Sequence, residues 1–243
     1  MSLNPPVAWQ IPAVALSTQR IVELTRTLEQ RLTRWQTQFG DVRFSSSLAA
    51  EDMVITDALA RVARGIHVFT LNTGRLHEET LAMIQIVKNR YDVTIESHEP
   101  DVDAVQAWTQ IHGRDGFYDS EVARQACCHI RKTEPLRQAL QGAKAWVTGM
   151  RRSQSVTRTQ VEPKSWDEAH RLHKLNPLFD WQDDEVWAYL FHHQVPIHPL
   201  HRKGFPSIGC EPCTRAIRQG EDIRAGRWWW LNQHHKECGL HVK

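Results

Sequence analysis

Five cysteines stand in 243 residues, and four of them fall into two close pairs. Cys127 and Cys128 are adjacent in QACCHIRKTEPL, while Cys210 and Cys213 form a C-x-x-C in GCEPCTR. Adjacent cysteines do not readily bridge each other, because disulfide geometry holds the two Cα atoms well apart. A C-x-x-C taken alone reads as half a zinc site or as a redox dithiol. Joined, the pairs supply four thiolates, enough for tetrahedral zinc or for an iron–sulfur cluster. Side chains of neighbouring residues diverge, which suits the separate irons of a [4Fe-4S] cube better than one small ion. The fifth, Cys238, lies in the polar C-terminal stretch KECGLH beside Gly239, among His234, His235, Lys236 and His241. Nearby cations lower a thiol's pKa, and the thiolate is the nucleophile.

A second chemistry is anion binding. SSSLAAED, residues 45–52, offers the hydroxyls of Ser45, Ser46 and Ser47 before a helix start, where N–H groups and the helix dipole favour negative charge. The same serines would serve as an ordinary N-capping turn. LNTGR, from Leu71 through Gly74, is another polar turn, and GMRRSQSVTR sets Arg151 and Arg152 side by side, as suits phosphate or sulfate. Lys and Arg number 30 against 28 Asp and Glu, a net charge of +2, which argues against a general nucleic-acid coat. The local distribution is less even: residues 143–161 hold Lys144, Arg151, Arg152 and Arg158 and no acid.

These loops need a frame to bring them together. STQRIVELTRTLEQRLTRWQTQFG predicts an amphipathic helix capped by Ser17 or Thr18, with Ile21, Leu24, Leu28 and Leu32 on one face and Gly40 as its stop. DVRFSSS, IHVFTL, DVTIES and KAWVTG read as strands; EDMVITDALARVARG, HEETLAMIQIVKNR, DVDAVQAWTQIHG and TEPLRQALQ read as helices between them. Such alternation predicts an α/β fold with a mainly parallel sheet and helices on both faces. In that arrangement the three polar loops meet at the carboxyl ends of strands. Farther on, RLHKLNPLFD reads as a strand and turn and WQDDEVWAYLFHH as a helix. An apolar run of about 18 residues and a signal-like start are both missing, so a soluble cytoplasmic protein is expected, with no membrane partner.

From about Phe44 onward, SSSLAAED, LNTGRL, CCHIRKTEPL, GMRRSQSVTR, PLHRKGFPSIGCEPCTR, GRWWW and KECGLH occur in an order and spacing that resemble the assimilatory adenylyl-sulfate (APS) reductases of the phosphoadenylyl-sulfate (PAPS) reductase family. The resemblance implies an adenine-nucleotide α-hydrolase-like fold. It implies a [4Fe-4S] cluster on Cys127, Cys128, Cys210 and Cys213, and division into an N-terminal helical segment (1–40), a nucleotide-binding domain (41–200) and a cluster-binding catalytic segment (201–243). The glycines of the related ATP-pyrophosphatase loop SGGxDS are absent from SSSLAAED, so ATP cleavage is not expected.

The implied reaction is attack by the Cys238 thiolate on the sulfonyl sulfur of APS, followed by release of sulfite when thioredoxin or a similar dithiol attacks Cys238. An anion attacking an anion needs cations. Lys132, Arg151, Arg152, Arg215 and Arg218 are the expected ones, with Arg224 and Arg227 ranked below them; Ser45, Ser46, Ser47, Leu71, Gly74 and His241 complete the expected substrate contacts. GRWWW reads as packing for the tail rather than as a base-stacking platform. A homo-oligomer is the expected assembly. The rivals are a cluster-containing reductase that takes PAPS as well as or instead of APS and, from a different class, a zinc-bound nucleic-acid module.

Overall fold

The computed structural model describes residues 7–154 and 160–231. Helix α1 (Thr18–Phe39) starts where Ser17 accepts a hydrogen bond from the Arg20 N–H at 3.2 Å and stops at Gly40, whose φ of 71° favours glycine. Its buried stripe, Ile21, Leu24, Leu28, Leu32 and Trp35, repeats at helical spacing. Strands β1 (Val42–Ser45), β2 (His67–Leu71), β3 (Ile95–His98) and β4 (Ala145–Val147) alternate with helices α2 (Ala50–Val62), α3 (Glu78–Tyr91) and α4 (Val102–His112). Strands β5 (Lys164–Asp167) and β6 (Leu172–Leu175) precede helix α7 (Asp183–His192).

The six strands form one sheet in the order β3-β2-β1-β4-β6-β5, parallel throughout except for the antiparallel β5–β6 pair. Residues pointing to one face, among them Val42, Phe44, Val68, Ala145, Val147 and Leu175, pack with α1, α2, α3 and α7 in the main core. Phe69, Trp146 and Leu172 point the other way and pack against Leu136 and Ala139. This is the period-two alternation of a sheet covered on both sides. Among the described residues no helix is long and apolar enough to cross a membrane.

Two features depart from the sequence expectation. The double cysteine, to which the sequence pattern assigned no element, lies in a helix. It closes α5 (Glu121–Cys128), which runs through a π turn (His129–Thr133) directly into α6 (Glu134–Ala139). The edge strand β5 was invisible to periodicity because its residues alternate between exposed and half-buried, leaving no apolar signal.

Candidate active site

The chain runs outward from β1 to β3 and then returns to lay β4 on the other side of β1, so the switch in strand order falls between β1 and β4. Loops leaving such a point diverge and leave a crevice at the strands' carboxyl ends. A cleft of about 240 Å³ lies there. Ser45, Ser46 and Ser47 wall it after β1, Leu71 and Thr73 after β2, and Thr148, Gly149 and Met150 after β4. Leu71, Leu136 and Trp146 form an apolar stretch of the wall, with the indole Nε1 of Trp146 donating to Ser45 Oγ at 2.8 Å. Gly74 turns the chain beside the cleft with φ 68°, facing Arg131, whose guanidinium donates to the Thr73 carbonyl at 2.7 Å.

The remaining wall comes from residues after 207. The Leu76–Cys210 bridge and a 2.8 Å bond from the Glu211 N–H to the Arg75 carbonyl fix the C-x-x-C turn to the loop after β2. The chain then folds back through the Thr214–Arg227 bridge and a bond from the Trp228 N–H to the Cys213 carbonyl at 3.1 Å. That return carries Arg224, Arg227 and Trp228 onto the cleft, where Lys132 joins them from the π turn. A Cβ on Gly209 would fall 2.3 Å from the Arg227 guanidinium, so the glycine leaves room for that side chain in its present position.

Among the described residues the cations of the cleft are Lys132, Arg224 and Arg227, and the expectation needs correcting for four arginines. Arg151 is turned inward, its side chain 3% exposed, with Glu51 at 2.7 Å, Asp183 at 2.6 Å and the Trp181 carbonyl at 3.2 Å. Arg152 lies over the Phe179 ring and donates to the Val161 carbonyl at 2.8 Å. Arg215 pairs with Glu221 at 3.0 Å, and Arg218 donates to the same carboxylate through its backbone. None of the four lines the cleft. Neighbouring acids and carbonyls claim them, which a strand-end position alone does not reveal. Trp228 is also more than tail packing: it is buried, lines the cleft, and has the guanidinium groups of Arg124 and Arg227 over its ring at 5.0 and 4.7 Å. Trp230 packs on Tyr118 at 4.4 Å, as tail packing would have it.

Cys127, Cys128, Cys210 and Cys213 gather with Trp108, Phe117 and Trp228 in one compact cluster, and none forms a disulfide. Cys210 also lines the cleft, its sulfur 3.2 Å from Thr73 Oγ1. Burial pushes the Cys213 thiol up to about 12 and raises Cys127, with Cys210 adding to both; Lys132 opposes the rise at each, joined by Arg227 at Cys213 and Arg131 at Cys127. Thiols held this way need a strong positive centre to become thiolates together. Among the described residues no three His, Cys, Asp or Glu side chains converge to hold a metal ion. A cube with four separate irons asks for a wider spacing than one ion does. The indole N–H groups of Trp108 and Trp228, in the same cluster, are buried without a partner, as donors to a sulfur-rich group would be. The residues fit a [4Fe-4S] cluster.

Sequence reasoning missed Glu51 and Asp52, two acids on the wall of the cleft. Asp52 Oδ2 accepts from both the Ser47 N–H at 2.6 Å and the Ser47 hydroxyl at 2.5 Å, which shapes the serine loop. Burial pushes this carboxyl up to about 7, against the pull of Ser47. Both acids were in plain view within SSSLAAED, but first-turn acids are common at helix starts and gave no distinguishing signal. Cys238 and His241, the expected nucleophile and substrate contact, lie outside the described residues.

Fold and cleft together define an adenine-nucleotide α-hydrolase-like α/β protein. A crystal structure of a phosphoadenylyl-sulfate reductase from Candida auris shares this fold with a TM-score of 0.66 and 24% identity, covering 84% of this chain and all of that one. Residues 41–216 match the phosphoadenosine phosphosulfate reductase domain. An adenosine 5′-phosphosulfate reductase of Allochromatium vinosum is 51% identical over 227 residues, 93% of this chain and 89% of that protein. One from Burkholderia cepacia is 52% identical over 234 residues, 95% of this chain and 93% of that protein. The chain belongs to the phosphoadenosine phosphosulfate reductase family, on the branch of the adenosine 5′-phosphosulfate reductases.

Proposed function

We propose that the chain reduces APS to sulfite and AMP in assimilatory sulfate reduction, drawing two electrons from a thioredoxin-like dithiol. The observation that carries this reading is one cleft wall holding Lys132, Arg224, Arg227 and Cys210 together, at the switch point of a nucleotide-type sheet. The cations offset the repulsion between a thiolate and the phosphosulfate and stabilise the phosphate that departs. The apolar stretch of Leu71, Leu136 and Trp146 takes a flat base. The Cys238 thiolate attacks the sulfonyl sulfur, the S–O bond breaks, and its electron pair leaves on the AMP phosphate. A dithiol thiolate then attacks Cys238 Sγ, expelling sulfite with the S–S electron pair, and the second thiol closes the partner's disulfide.

Cys127, Cys128, Cys210 and Cys213 would hold the cluster, which supplies fixed charge beside the anion-binding wall. On the protein's side, Lys132 follows the cysteine pair by one turn, lines the cleft and opposes the rise of the Cys127 and Cys213 thiols. Mixing the protein with APS in the absence of reductant should add one SO₃ to the peptide containing Cys238, removable by a dithiol. Cys238→Ser should keep the brown colour and form no adduct. Label on any of the other four cysteines, or sulfite at near wild-type rate from the serine variant, would overturn the assignment.

A further inference from the structure

Thr80 lines the cleft from the first turn of α3, yet neither the sequence motifs nor the proposed reaction gives it a task. It is 3% exposed, and its oxygen lies 2.9 Å from Nε2 of His198, itself 1% exposed. The far side of the imidazole decides which of these two atoms donates. His198 Nδ1 accepts from the Leu200 N–H at 3.2 Å, and a backbone N–H can only donate, so Nδ1 carries no proton. The ring proton is therefore on Nε2, and Nε2–H donates to Thr80 Oγ1. Burial, with His201 and His77 nearby, pushes His198 down to about 4, so the ring keeps this neutral form near neutral pH.

The hydroxyl's own proton then needs an acceptor. Thr25, Thr27, Thr37, Thr56 and Thr109, inside α1, α2 and α4, each give theirs to the carbonyl four residues back. Thr80 does not, and among the described residues its oxygen has no hydrogen-bond partner besides His198. A buried hydroxyl that accepts one bond and donates none, on a residue lining a cleft, is a donor for whatever fills the cleft. Its neighbours say which part of a ligand that is. Leu76, four residues earlier, is bridged to Cys210, and Gly209 beside that cysteine lies against the Arg227 guanidinium. Thr80 thus stands on the cation-bearing side of the cleft, where anionic oxygens belong.

We propose that the Thr80 hydroxyl donates to a phosphate oxygen of the adenylyl ligand, and that His198 is the positioning residue that turns its proton toward the cleft. This rests on the reading of the cleft as an APS site. An imidazole fixed as a donor occupies the threonine oxygen as acceptor, so the hydroxyl proton turns elsewhere. The bond adds direction to the attraction of Lys132, Arg224 and Arg227 without burying a further charge.

The test measures the binding of AMP and of adenosine to the holoenzyme. Thr80→Val, nearly isosteric and without the hydroxyl, should weaken AMP about tenfold and leave adenosine within about twofold, since only AMP carries the phosphate. Thr80→Ser, which keeps the hydroxyl, should stay within about threefold of wild type for both ligands. His198→Leu should reproduce the Thr80→Val pattern, and the double variant should lose no more than either single one. His198→Gln, whose amide N–H reaches the place of Nε2–H, should bring AMP back to within about threefold of wild type. Wild type that binds adenosine as tightly as AMP would overturn the proposal before any variant is made. Unchanged AMP affinity in Thr80→Val would do the same, as would an equal loss for AMP and adenosine, which would make the pair a brace of the fold. Additive losses in the double variant would remove His198 from its positioning role. If wild type releases no sulfite from APS, the proposed reaction falls and the comparison of AMP with adenosine still judges Thr80. If sulfite is released and Thr80→Val binds AMP as wild type does, the reaction stands and this proposal falls.

Discussion

Arg151→Ala separates a structural arginine from a substrate-binding one. The guanidinium is 3% exposed and makes Nε and Nη contacts to Glu51 at 3.1 and 2.7 Å, with further bonds to Asp183 at 2.6 Å, Ser153 at 2.5 Å and the Trp181 carbonyl at 3.2 Å. Truncating one member of a buried pair costs about 3–5 kcal/mol, because the partner is left charged and unpaired. Asp183 is 46% exposed and returns to water, whereas Glu51, 19% exposed, does not, which places the expected loss near the low end, about 3 kcal/mol. For a chain of this length each kcal/mol moves the thermal midpoint by about 2–4 °C, so the midpoint should fall by about 6–12 °C. Urea unfolding of the holoenzyme measures the same loss. Removing the Glu51 charge as well, in Arg151→Ala with Glu51→Gln, should recover part of it. At a temperature where the variant is folded, kcat/KM on APS should fall less than about fivefold. An unchanged midpoint with APS binding lost would refute the reasoning and return Arg151 to the substrate.

Arg224→Ala should do the opposite: charge-assisted contacts contribute about 1.5–3 kcal/mol, so kcat/KM should drop about ten- to hundredfold with a midpoint within about 2 °C of wild type. Unaltered steady-state kinetics would remove Arg224 from the anion site. Cys128→Ser and Cys210→Ser should each lose iron and sulfite release together, and a variant that lost its iron and kept full turnover would contradict the role given to the four cysteines. The Asp52 carboxyl, pushed by burial from the usual 3.8 up to about 7, keeps its proton in the folded state while the unfolded chain ionises. Native stability should therefore decline as pH rises from about 4 to 7, by at most about 4 kcal/mol, and level off above that. Asp52→Asn should flatten this part of the curve, and urea midpoints that track wild type across the range would show that Asp52 does not titrate as described.

Much of the fold was legible in the sequence, because the signals that carry it are local. The stripe from Ile21 to Trp35 between Ser17 and Gly40 sets α1 almost to the residue, and the alternation of Val42 and Phe44 with Arg43 and Ser45 assigns β1's two faces. Polar turns after β1, β2 and β4 marked the edge where the cleft lies. The four paired cysteines announced a common site because few other uses need that many thiols at that spacing. Tertiary structure alone decided which cations serve the cleft. Arg151 and Arg224 are the same residue type in equally polar loops, and what differs is long-range: Glu51 and Asp183 close around Arg151 from α2 and α7, while the return of the chain through the Thr214–Arg227 bridge delivers Arg224 and Arg227 to the wall. The same holds for Asp52, whose position in a first helical turn is ordinary and whose carboxylate is accommodated because Gly149, 97 positions away, has no Cβ to strike its Oδ1. Periodicity encodes which face of an element is buried, but a charged side chain's role is set by whichever partner the packed chain brings within hydrogen-bond reach.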